Sequence, residues 1–501
     1  MNKDENDKVE QPALDQLQRL GWDYVHGKQL SPEESNERVY YSDVVLIKRL
    51  EASIQRLNPW INDENLRKVV RLIAKPQATS LIETNQALWL SLTQYLSVEQ
   101  DLGKGRRGQT VKVIDFDNPD NNEYLCTNQF KVSGVNQNII PDIILFVNGL
   151  PLVVIECKSP FITNPMEAGI DQLLRYANRR TPHDDEGAEK LFHYNQMMVS
   201  THRDKARVGT ISSRMEHFLE WKDPYPLTPE QVFANNQSVA ANEPFILDGD
   251  DYIQDVATST AAYKTTPDSQ QVLIAGLFSK TNFLDIIQNF TVFEPSDGRV
   301  VKKIARYQQF RAVHKTMARI KSGKTRKERG GVIWHTQGSG KSLTMVFLTV
   351  KMRRDVELSQ YKLVFITDRT QLDDQITATF NNAQQETIHQ AKSVSHLKEL
   401  LSKDSSDVVT AMVQKFQDSA DDFSFPLLND SHKIIVLADE AHRTQNGTLA
   451  MAINAALPNA PKIAFTGTPL IKSMKTNNEF GSYIDTYTIE QAVQDLSLIH
   501  I

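Results

Sequence analysis

Three side chains in the first half of the sequence have the types and spacing that metal-dependent cleavage of a phosphodiester needs. Asp142 precedes the apolar run IILFV, and Glu156 and Lys158 follow in the segment VVIECK. In an antiparallel hairpin Asp142 and Glu156 would meet at one end of a sheet, and Glu156 and Lys158 would share a face. Two carboxylates can hold Mg²⁺, and a lysine can position or deprotonate the attacking water. A salt bridge at the end of a hairpin is the structural alternative.

A second candidate site is a phosphate-binding loop, HTQGSGKS, at residues 335–342. A strand-like run precedes it and a helical run follows, so backbone amides and the helix N-terminus can face phosphate oxygens. Lys341 would reach the β- and γ-phosphates, and Ser342 would bind Mg²⁺. His335 occupies the first position, where glycine is common. A glycine–serine turn before a helix is the alternative.

An acidic segment follows the loop by about 100 residues, in KIIVLADEAH. Its apolar run predicts a buried strand, whose carboxyl end would face the phosphate loop. Asp439 would then hold Mg²⁺, and Glu440 would orient and deprotonate the attacking water. A simple loop start after a strand is the alternative.

Three weaker segments agree with a nucleotide site. They are VFITDRTQLDDQ at residues 364–375, TGTP at residues 466–469, and Gln308 with Gln309, where an amide could read the adenine edge. A plain turn also accounts for TGTP. The residues that we predict to bind ATP are Gln309, Thr336, Gly338, Ser339, Gly340, Lys341, Ser342, Asp439 and His442. The predicted ligands of Mg²⁺ are Asp142, Glu156, Ser342 and Asp439.

The elements that must position these residues are of mixed α/β type. The chain has 501 residues, enough for about three domains. The first dozen residues are polar and are expected to fray, and a helical pattern runs from about Gln11 to Leu102. Short β-rich runs follow, with a helix from Met166. After Arg306, β-branched runs alternate with helical stretches, which predicts a parallel sheet.

Composition excludes several classes of protein. Hydrophobic residues make up 40% and charged residues 24%, which fits a globular protein and no disordered or fibrous one. The most hydrophobic stretch, residues 143–156, is interrupted by polar and turn residues, so no membrane span is expected. Two cysteines, Cys126 and Cys157, fit a reducing cytoplasm and support no zinc site. The net charge of −6 means that DNA contact must come from local basic patches. The basic stretch at residues 321–329 is a candidate, with a solvated loop as the alternative.

The second half of the sequence resembles the first motor domain of superfamily 2 helicases and translocases. The DEAH of residues 439–442, the TGTP and the upstream glutamines carry this resemblance. HTQGSGKS followed by DRTQLDDQ resembles, more narrowly, the restriction subunit of type I restriction-modification enzymes. The resemblance implies that Thr466, Gly467 and Thr468 couple the nucleotide state to movement along DNA.

The first half resembles the PD-(D/E)XK nucleases. Asp142, Glu156 and Lys158 fit that pattern, and Gln172 and Tyr176 lie four apart on one predicted helix face. This Gln-x-x-x-Tyr addition is typical of the RecB-like nuclease domain of type I restriction subunits. The resemblance implies that Asp142, Glu156, Lys158, Gln172 and Tyr176 are catalytic in the nuclease. Glu440 is the catalytic residue predicted for ATP hydrolysis.

Such families often add an acidic residue on an upstream helix. Glu83, in LIETNQALWL, is our candidate for that position. A solvated helix residue is the alternative.

The resemblance implies a fold and a domain order. We expect a helical layer with a restriction-endonuclease-like α/β nuclease domain over residues 1–265, a connecting segment over 266–300, and a RecA-like parallel-sheet P-loop domain over 301–490. A second RecA-like domain and a C-terminal domain are expected to be absent, so the chain would be an N-terminal fragment, with non-native residues from about 495 to 501.

The function implied is that of a type I site-specific deoxyribonuclease subunit, which uses ATP and Mg²⁺ to translocate and cut double-stranded DNA. Its implied partners are the methyltransferase and specificity subunits. One alternative is a repair nuclease-helicase that needs no partners. The other is a catalytically incomplete fragment that only binds DNA or assembles.

Overall fold

The computed structural model describes residues 3–77, 80–180, 185–237, 266–296, 298–367, 388–413, 426–439, 447–468 and 480–495. The chain divides into two compact units. The first contains Met1–Gln288 with Val300–Ile304, and the second contains Asn289–Arg299 with Ala305–Ile501. Among the described residues, no helix is both long and apolar enough to cross a lipid bilayer.

The first unit is built on a mixed seven-stranded sheet, with the order β1-β4-β7-β8-β9-β10-β11. Its strands are β1 Asp23–Tyr24, β4 Tyr124–Asn128, β7 Ile143–Val147, β8 Leu150–Cys157, β9 Met197–Thr201, β10 Ala206–Gly209 and β11 Leu219–Glu220. Two small hairpins accompany it: β2 Leu96–Asp101 with β3 Arg106–Val111, and β5 Val132–Ser133 with β6 Asn138–Ile139. Strands β7 and β8 are antiparallel, whereas β8 and β9 are parallel and joined through a helix.

The described helices of this unit pack around the sheet. They are α1 Lys3–Glu5, α2 Gln11–Arg19, α3 Ile47–Leu57, α4 Asp63–Ala74, α5 Leu81–Thr93, α6 Pro165–Tyr176, α7 Glu189–Phe192, α8 Pro229–Gln237, α9 Ser269–Phe278 and α10 Lys280–Asn289. Every residue of β7 and β8 is buried, as their uninterrupted apolar sequence predicts for central strands.

The N-terminal residues are helical, in contrast to the fraying that we expected. A π-helical turn, Asn6–Glu10, joins α1 to α2, and Val9 and Glu10 are fully buried. Pro12 does not end the helix because it lies in the first turn of α2, where no backbone amide is needed. Packing against the unit therefore orders a segment with few apolar residues of its own.

Residues 269–289 also differ from the expectation of a connecting segment over 266–300. They form α9 and α10, and the first unit includes them up to Gln288. The sequence VLIAGLF makes α9 apolar on all sides, and a helix of that kind is stable only when it is buried. Asp268 begins α9 by accepting a hydrogen bond from the backbone N–H of Gln271.

The second unit contains a seven-stranded sheet in the order β16-β17-β15-β18-β19-β14-β20. The strands are β14 Gly331–His335, β15 Lys362–Thr367, β16 Ile388–Gln390, β17 Val408–Met412, β18 Ile434–Asp439, β19 Lys462–Thr466 and β20 Tyr483–Tyr487. All neighbouring pairs are parallel, as the alternating sequence pattern predicts. Two further strands, β12 Thr291–Ser296 and β13 Arg299–Ile304, precede the sheet in the sequence.

The described helices of the second unit are α11 Tyr307–Ser322, α12 Arg326–Arg329, α13 Lys341–Arg354, α14 Val394–Ser402, α15 Gly447–Ala456 and α16 Ile489–Gln494. One apolar core joins β15, β17 and β18 to α14 and α15. The architecture is thus α/β with a parallel sheet that carries the phosphate loop between β14 and α13, which confirms the predicted fold class.

Candidate functional site

The hairpin of β7 and β8 brings the first candidate residues together. Ile143 pairs with Ile155, so Asp142 and Glu156 lie at the same end of the two strands. The Nζ atom of Lys158 lies 2.7 Å from Oε1 of Glu156 and 3.9 Å from Oδ2 of Asp142. All three residues are at least nine-tenths buried. The spacing of these residues along the hairpin therefore places two acids and one base in one cluster.

Burial makes this cluster unfavourable for negative charge. Burial raises the pKa of Asp142. It also raises the pKa of Glu156 well above its ordinary value, and the charge of Asp142 adds to that effect. Burial alone would lower the pKa of Lys158, but the carboxylates of Glu156 and Asp142 raise it above its ordinary value. The other oxygen of Glu156, Oε2, is buried without a hydrogen-bond partner. The cluster therefore has an electrostatic preference for an additional cation.

Backbone contacts fix the two ends of the cluster. Oδ2 of Asp142 accepts a hydrogen bond from the N–H of Cys157 at 2.8 Å, and the N–H of Lys158 donates to the carbonyl of Thr201 on β9. The ammonium of Lys158 also donates to the carbonyl of Cys157 at 3.0 Å. The Cys157 side chain is fully buried.

Helix α6 adds Gln172 and Tyr176 to this region. Gln172 Nε2 donates to the hydroxyl of Tyr176 at 2.5 Å, and that hydroxyl donates to the carbonyl of Ile140 at 3.2 Å. Burial and then the charge of Glu156 raise the pKa of Tyr176, so its hydroxyl stays protonated and can donate. The expected pairing of the two residues on one helix face is observed, beside the strand end that carries Asp142.

The acid that the sequence reasoning missed is Glu10. It is fully buried, it accepts a hydrogen bond from Asn128 Nδ2 at 2.8 Å, and its Oε2 has no partner. Burial, with a contribution from the charge of Asp142, raises the pKa of Glu10 to about 7. Glu83, our candidate, instead lies exposed in the first turn of α5, where its carboxylate accepts a hydrogen bond from Ser80. The sequence marks Glu10 only as an acidic residue in a polar N-terminal segment that can form a helix.

These residues fit a hard divalent cation. Among the described residues, no three His, Cys, Asp or Glu side chains form a compact metal cluster. Mg²⁺ commonly binds through one or two carboxylates and keeps several waters. The unpartnered Oε2 of Glu156 and the adjacent Asp142 supply that minimum.

The phosphate loop lies between β14 and α13. Gly338 and Gly340 have φ angles of 81° and 84°, a conformation that other residues adopt only with strain. Lys341 begins α13 and is mostly buried, Ser342 is half-buried, and the buried Ser339 hydroxyl has no partner. The loop therefore has the backbone conformation that turns amide groups inward.

Parallel pairing brings three of the candidate segments to one edge of the second sheet. Strand β19 lies between β14 and β18, so Thr466 at its end adjoins the phosphate loop on one side and Asp439 on the other. A Cβ atom added to Gly467 would lie 3.2 Å from Nζ of Lys341. The position of Asp439 at the carboxyl end of β18 is the position predicted for it.

Gln309 lies directly on the phosphate loop. Its Nε2 donates to the carbonyl of Gly340 at 2.9 Å, and its Oε1 accepts from the N–H of Arg306. Thr336 is buried, and its N–H donates to the carbonyl of Tyr487 on β20. The amide of Gln309 is thus engaged with the protein itself.

The departure from the common loop pattern at His335 has a structural explanation. Its Nε2 lies 2.8 Å from Oδ2 of Asp485 on β20, and both side chains are almost completely buried. Arg311 holds the same carboxylate with two nitrogen atoms, at 2.8 and 2.9 Å, and Lys315 adds a second cationic partner. Burial lowers the pKa of His335, although Asp485 opposes that effect. The sequence reasoning missed this network because Asp485 has no motif around it.

Several predicted residues lie outside the described part of the chain. They include Glu440 and His442 of the DEAH segment, residues 368–375 of DRTQLDDQ, and Pro469. Thr468 is described, and its N–H donates to the hydroxyl of Thr466 at 3.3 Å.

Two family models match the chain. Type I restriction enzyme R protein N terminus matches residues 2–217, and SWI2/SNF2 ATPase matches residues 308–501. The first covers the Asp142 cluster, and the second covers the phosphate loop and the strand ends beside it.

The chain is also similar to two curated relatives. It is 34% identical to the type I restriction enzyme HindI endonuclease subunit of Haemophilus influenzae, over 99% of this chain and 46% of that protein. It is 32% identical to a Methanocaldococcus jannaschii protein, provisionally named as the MjaIXP endonuclease subunit, over 97% of this chain and 44% of that protein. The chain thus spans less than half the length of both relatives. With this similarity along almost all of its residues, the chain belongs to the family of type I restriction enzyme endonuclease subunits.

Proposed function

We propose that the protein containing this chain is the restriction subunit of a type I restriction-modification complex, which cuts double-stranded DNA and uses ATP for translocation. The observation that carries the proposal is the joint presence of two sites in one chain. One is the buried cluster of Asp142, Glu156 and Lys158, and the other is the phosphate loop beside Asp439 and Gly467.

In the nuclease reaction Asp142 and Glu156 would hold Mg²⁺, which would supply positive charge at the scissile phosphate and acidify a water molecule. Lys158 would orient the attacking water and offset the charge that develops on the phosphate. The raised pKa of Lys158 keeps its ammonium protonated for that role. Tyr176, held by Gln172 and kept neutral by burial, would support the strand end that carries Asp142 through its hydrogen bond to the carbonyl of Ile140.

In the motor the amides of Gly338 and Gly340 would cradle the phosphates of ATP, and Lys341 would neutralise their charge. Ser342 and Asp439 would hold the Mg²⁺ that accompanies ATP. Glu440 and His442, which follow Asp439 directly, are assigned from the motif alone. The short distance between Gly467 and Lys341, whose Nζ would lie 3.2 Å from a Cβ atom added there, supports a role for residues 466–468 in sensing the nucleotide.

The test uses a circular plasmid that carries unmethylated recognition sites, together with the methyltransferase and specificity subunits, ATP and Mg²⁺. We expect Glu156→Gln to abolish cleavage while nucleotide binding persists, and Lys341→Ala to abolish both nucleotide binding and ATP-dependent cleavage. Glu167→Gln and Lys433→Ala, at exposed positions in the same two units, should change neither. Undiminished cleavage by Glu156→Gln would contradict the nuclease assignment.

The same assay separates the rival functions. With a linear duplex in place of the plasmid, cleavage from its free ends without the methyltransferase and specificity subunits would favour a repair nuclease-helicase. DNA binding without any cleavage or nucleotide binding would favour a role in assembly alone.

A further inference from the structure

The hairpin of β2 and β3, which we call the basic ribbon, extends from the first unit without a core of its own. Its two strands pair over six residues each, from Leu96 opposite Val111 to Asp101 opposite Arg106. Six residues of extended chain span about 20 Å. Residues 101–108 are all exposed. An isolated two-stranded hairpin is only marginally stable, and burial of apolar surface adds little to the stability of this one.

Contacts hold the basic ribbon along β2 as far as Gln100, and we call this part its base. Val98 and Val111 are buried there, and Asn65 donates to the carbonyl of Glu99 and to the side chain of Gln100. The side chain of Gln100 donates in turn to the carbonyl of Trp60. Beyond this base, a Cβ atom added to Gly103 or Gly105 would meet nothing within 4 Å. The outer half, residues 101–108, therefore presents its side chains to a partner.

The charge of this outer half is opposite to that of the whole chain. Residues 101–108 carry three basic side chains and one acidic side chain, while the chain has a net charge of −6. Arg106 forms an exposed ion pair with Glu99 at 3.2 Å. Among the ion pairs between described residues, none involves Lys104 or Arg107. Two cations thus stand on a protruding, glycine-rich hairpin with no internal counter-charge.

We propose that the basic ribbon is a contact surface for the sugar-phosphate backbone of duplex DNA. The choice of DNA as the partner rests on the proposed function. The location of the contact rests on the exposure and charge of residues 101–108. A two-stranded ribbon fits the major groove of B-form DNA, where its basic side chains can reach phosphate oxygens. Because the net charge of the chain repels DNA, local contacts of this kind must supply the electrostatic part of the affinity.

The experiment measures binding of the chain to a short fluorescent duplex by anisotropy, without ATP and in EDTA, over a range of salt concentrations. The test variant is Lys104→Gln with Arg107→Gln. The matched control is Lys48→Gln with Lys75→Gln, which removes the same charge from exposed positions of the same unit. Equal melting temperatures establish that all three proteins are folded.

Each phosphate contact contributes about 0.9 to the slope of log K against log salt. We expect the test variant to lose about 1.8 from that slope, so that its affinity falls about tenfold less than that of the wild type between about 50 and 200 mM salt. The control should keep the wild-type slope. A test variant with the wild-type slope would overturn the proposal and would leave a protein surface as the partner of the basic ribbon.

The outcome is independent of the proposed nuclease and motor. Loss of slope in the basic ribbon variant, in a protein that neither cuts DNA nor binds ATP, would support the contact and refute the function. Normal cleavage together with an unchanged salt slope of the basic ribbon variant would support the proposed function and refute the contact between the basic ribbon and DNA.

Discussion

Three carboxylates lie near one another in the first unit, and each is buried. Asp142, Glu156 and Glu10 all have pKa values raised above the ordinary range, with burial as the largest cause. Isolated buried charges are costly, so proteins keep them only when they are paired or used. Lys158 pairs with two of the three, which leaves the cluster short of positive charge.

Glu10 permits a prediction about pH. Its pKa is raised to about 7 from an ordinary value of 4.5, so the folded state holds the proton more tightly than the unfolded chain. Its stabilising contribution is therefore complete below pH 4.5 and is lost as the pH rises through about 7. In EDTA, Glu10→Gln should remove up to about 3 kcal/mol of that decline, measured by urea unfolding.

Glu64→Gln, at an exposed position, serves as the control and should keep the wild-type pH dependence. An unchanged pH dependence in Glu10→Gln would mean that Glu10 is ionised in the folded protein at neutral pH.

Asp485 permits a second prediction at the residue scale. Arg311, Lys315 and His335 all contact its buried carboxylate, and the hydrogen bonds and charges of these partners lower its pKa against the opposing effect of burial. Asp485→Ala leaves the mostly buried Arg311 without its counter-charge, so we expect the second unit to lose about 3–5 kcal/mol of stability. Thermal or urea unfolding of the chain measures this loss.

The exposed Asp430→Ala should have an effect within about 0.5 kcal/mol. Because the pKa of Asp485 is lowered by folding, its contribution should persist above the ordinary aspartate range and disappear as the pH falls below it. Full stability of Asp485→Ala would show that the network does not hold β20 to the phosphate loop.

At the scale of elements, the crossover from β8 through α6 to β9 determines where Gln172 and Tyr176 lie. Gly169 faces β9 in this crossover, and a Cβ atom there would lie 2.3 Å from Oγ of Ser200 and 3.4 Å from Cγ of Lys158. The helix can approach the sheet this closely only because position 169 has no side chain.

Gly169→Ala should therefore destabilise the first unit, by about 1–3 kcal/mol, because overpacking outweighs the gain in helix propensity of up to about 1 kcal/mol. Adding Ser200→Ala removes the nearest atom, so the double variant should recover most of the loss relative to Ser200→Ala alone. Urea unfolding of the four proteins in this cycle gives the coupling energy. Additive effects would indicate that the helix moves away from the strand.

At the scale of the whole molecule, the chain returns to the first unit after it has begun the second. Val300–Ile304 belongs to the first unit, although the residues on both sides belong to the second. Lys302 fixes this return, because its Nζ donates to Asn85, to the carbonyl of Asn195 and to Gln196, at 2.7–3.0 Å. Gln196 immediately precedes β9, the strand that pairs with the one carrying Glu156.

Lys302→Met should destabilise the first unit by about 3 kcal/mol or more, because buried oxygen acceptors lose their donor. Burial lowers the pKa of Lys302 well below 10.5, so the folded protein holds this proton less tightly than the unfolded chain does. The free energy of unfolding should accordingly rise with pH up to about 10.5, and Lys302→Met should flatten that rise. Lys303→Met, at a half-buried position, is the control, and an equal effect of the two substitutions would contradict the role of Lys302.

Much of this organisation follows from the sequence by itself. The parallel sheet, the β7–β8 hairpin, the phosphate loop and the place of Asp439 are set by local patterns of apolar, glycine and acidic residues. Those patterns act over a few residues, where side-chain periodicity and turn geometry determine the element. The position of Glu156 two residues before Lys158 already requires that both face the same side of a strand.

Only the tertiary structure decided the rest. Glu10 beside Asp142, Asp485 against His335, and Lys302 against Asn85 join residues that lie more than 100 positions apart. No period or motif marks such partners, because their contact depends on how whole elements pack. Glu10 was not considered for the upstream acid, because the first dozen residues are polar and were expected to fray. Its burial in the turn Asn6–Glu10 depends on contacts with residues that are distant in the sequence, such as Asn128.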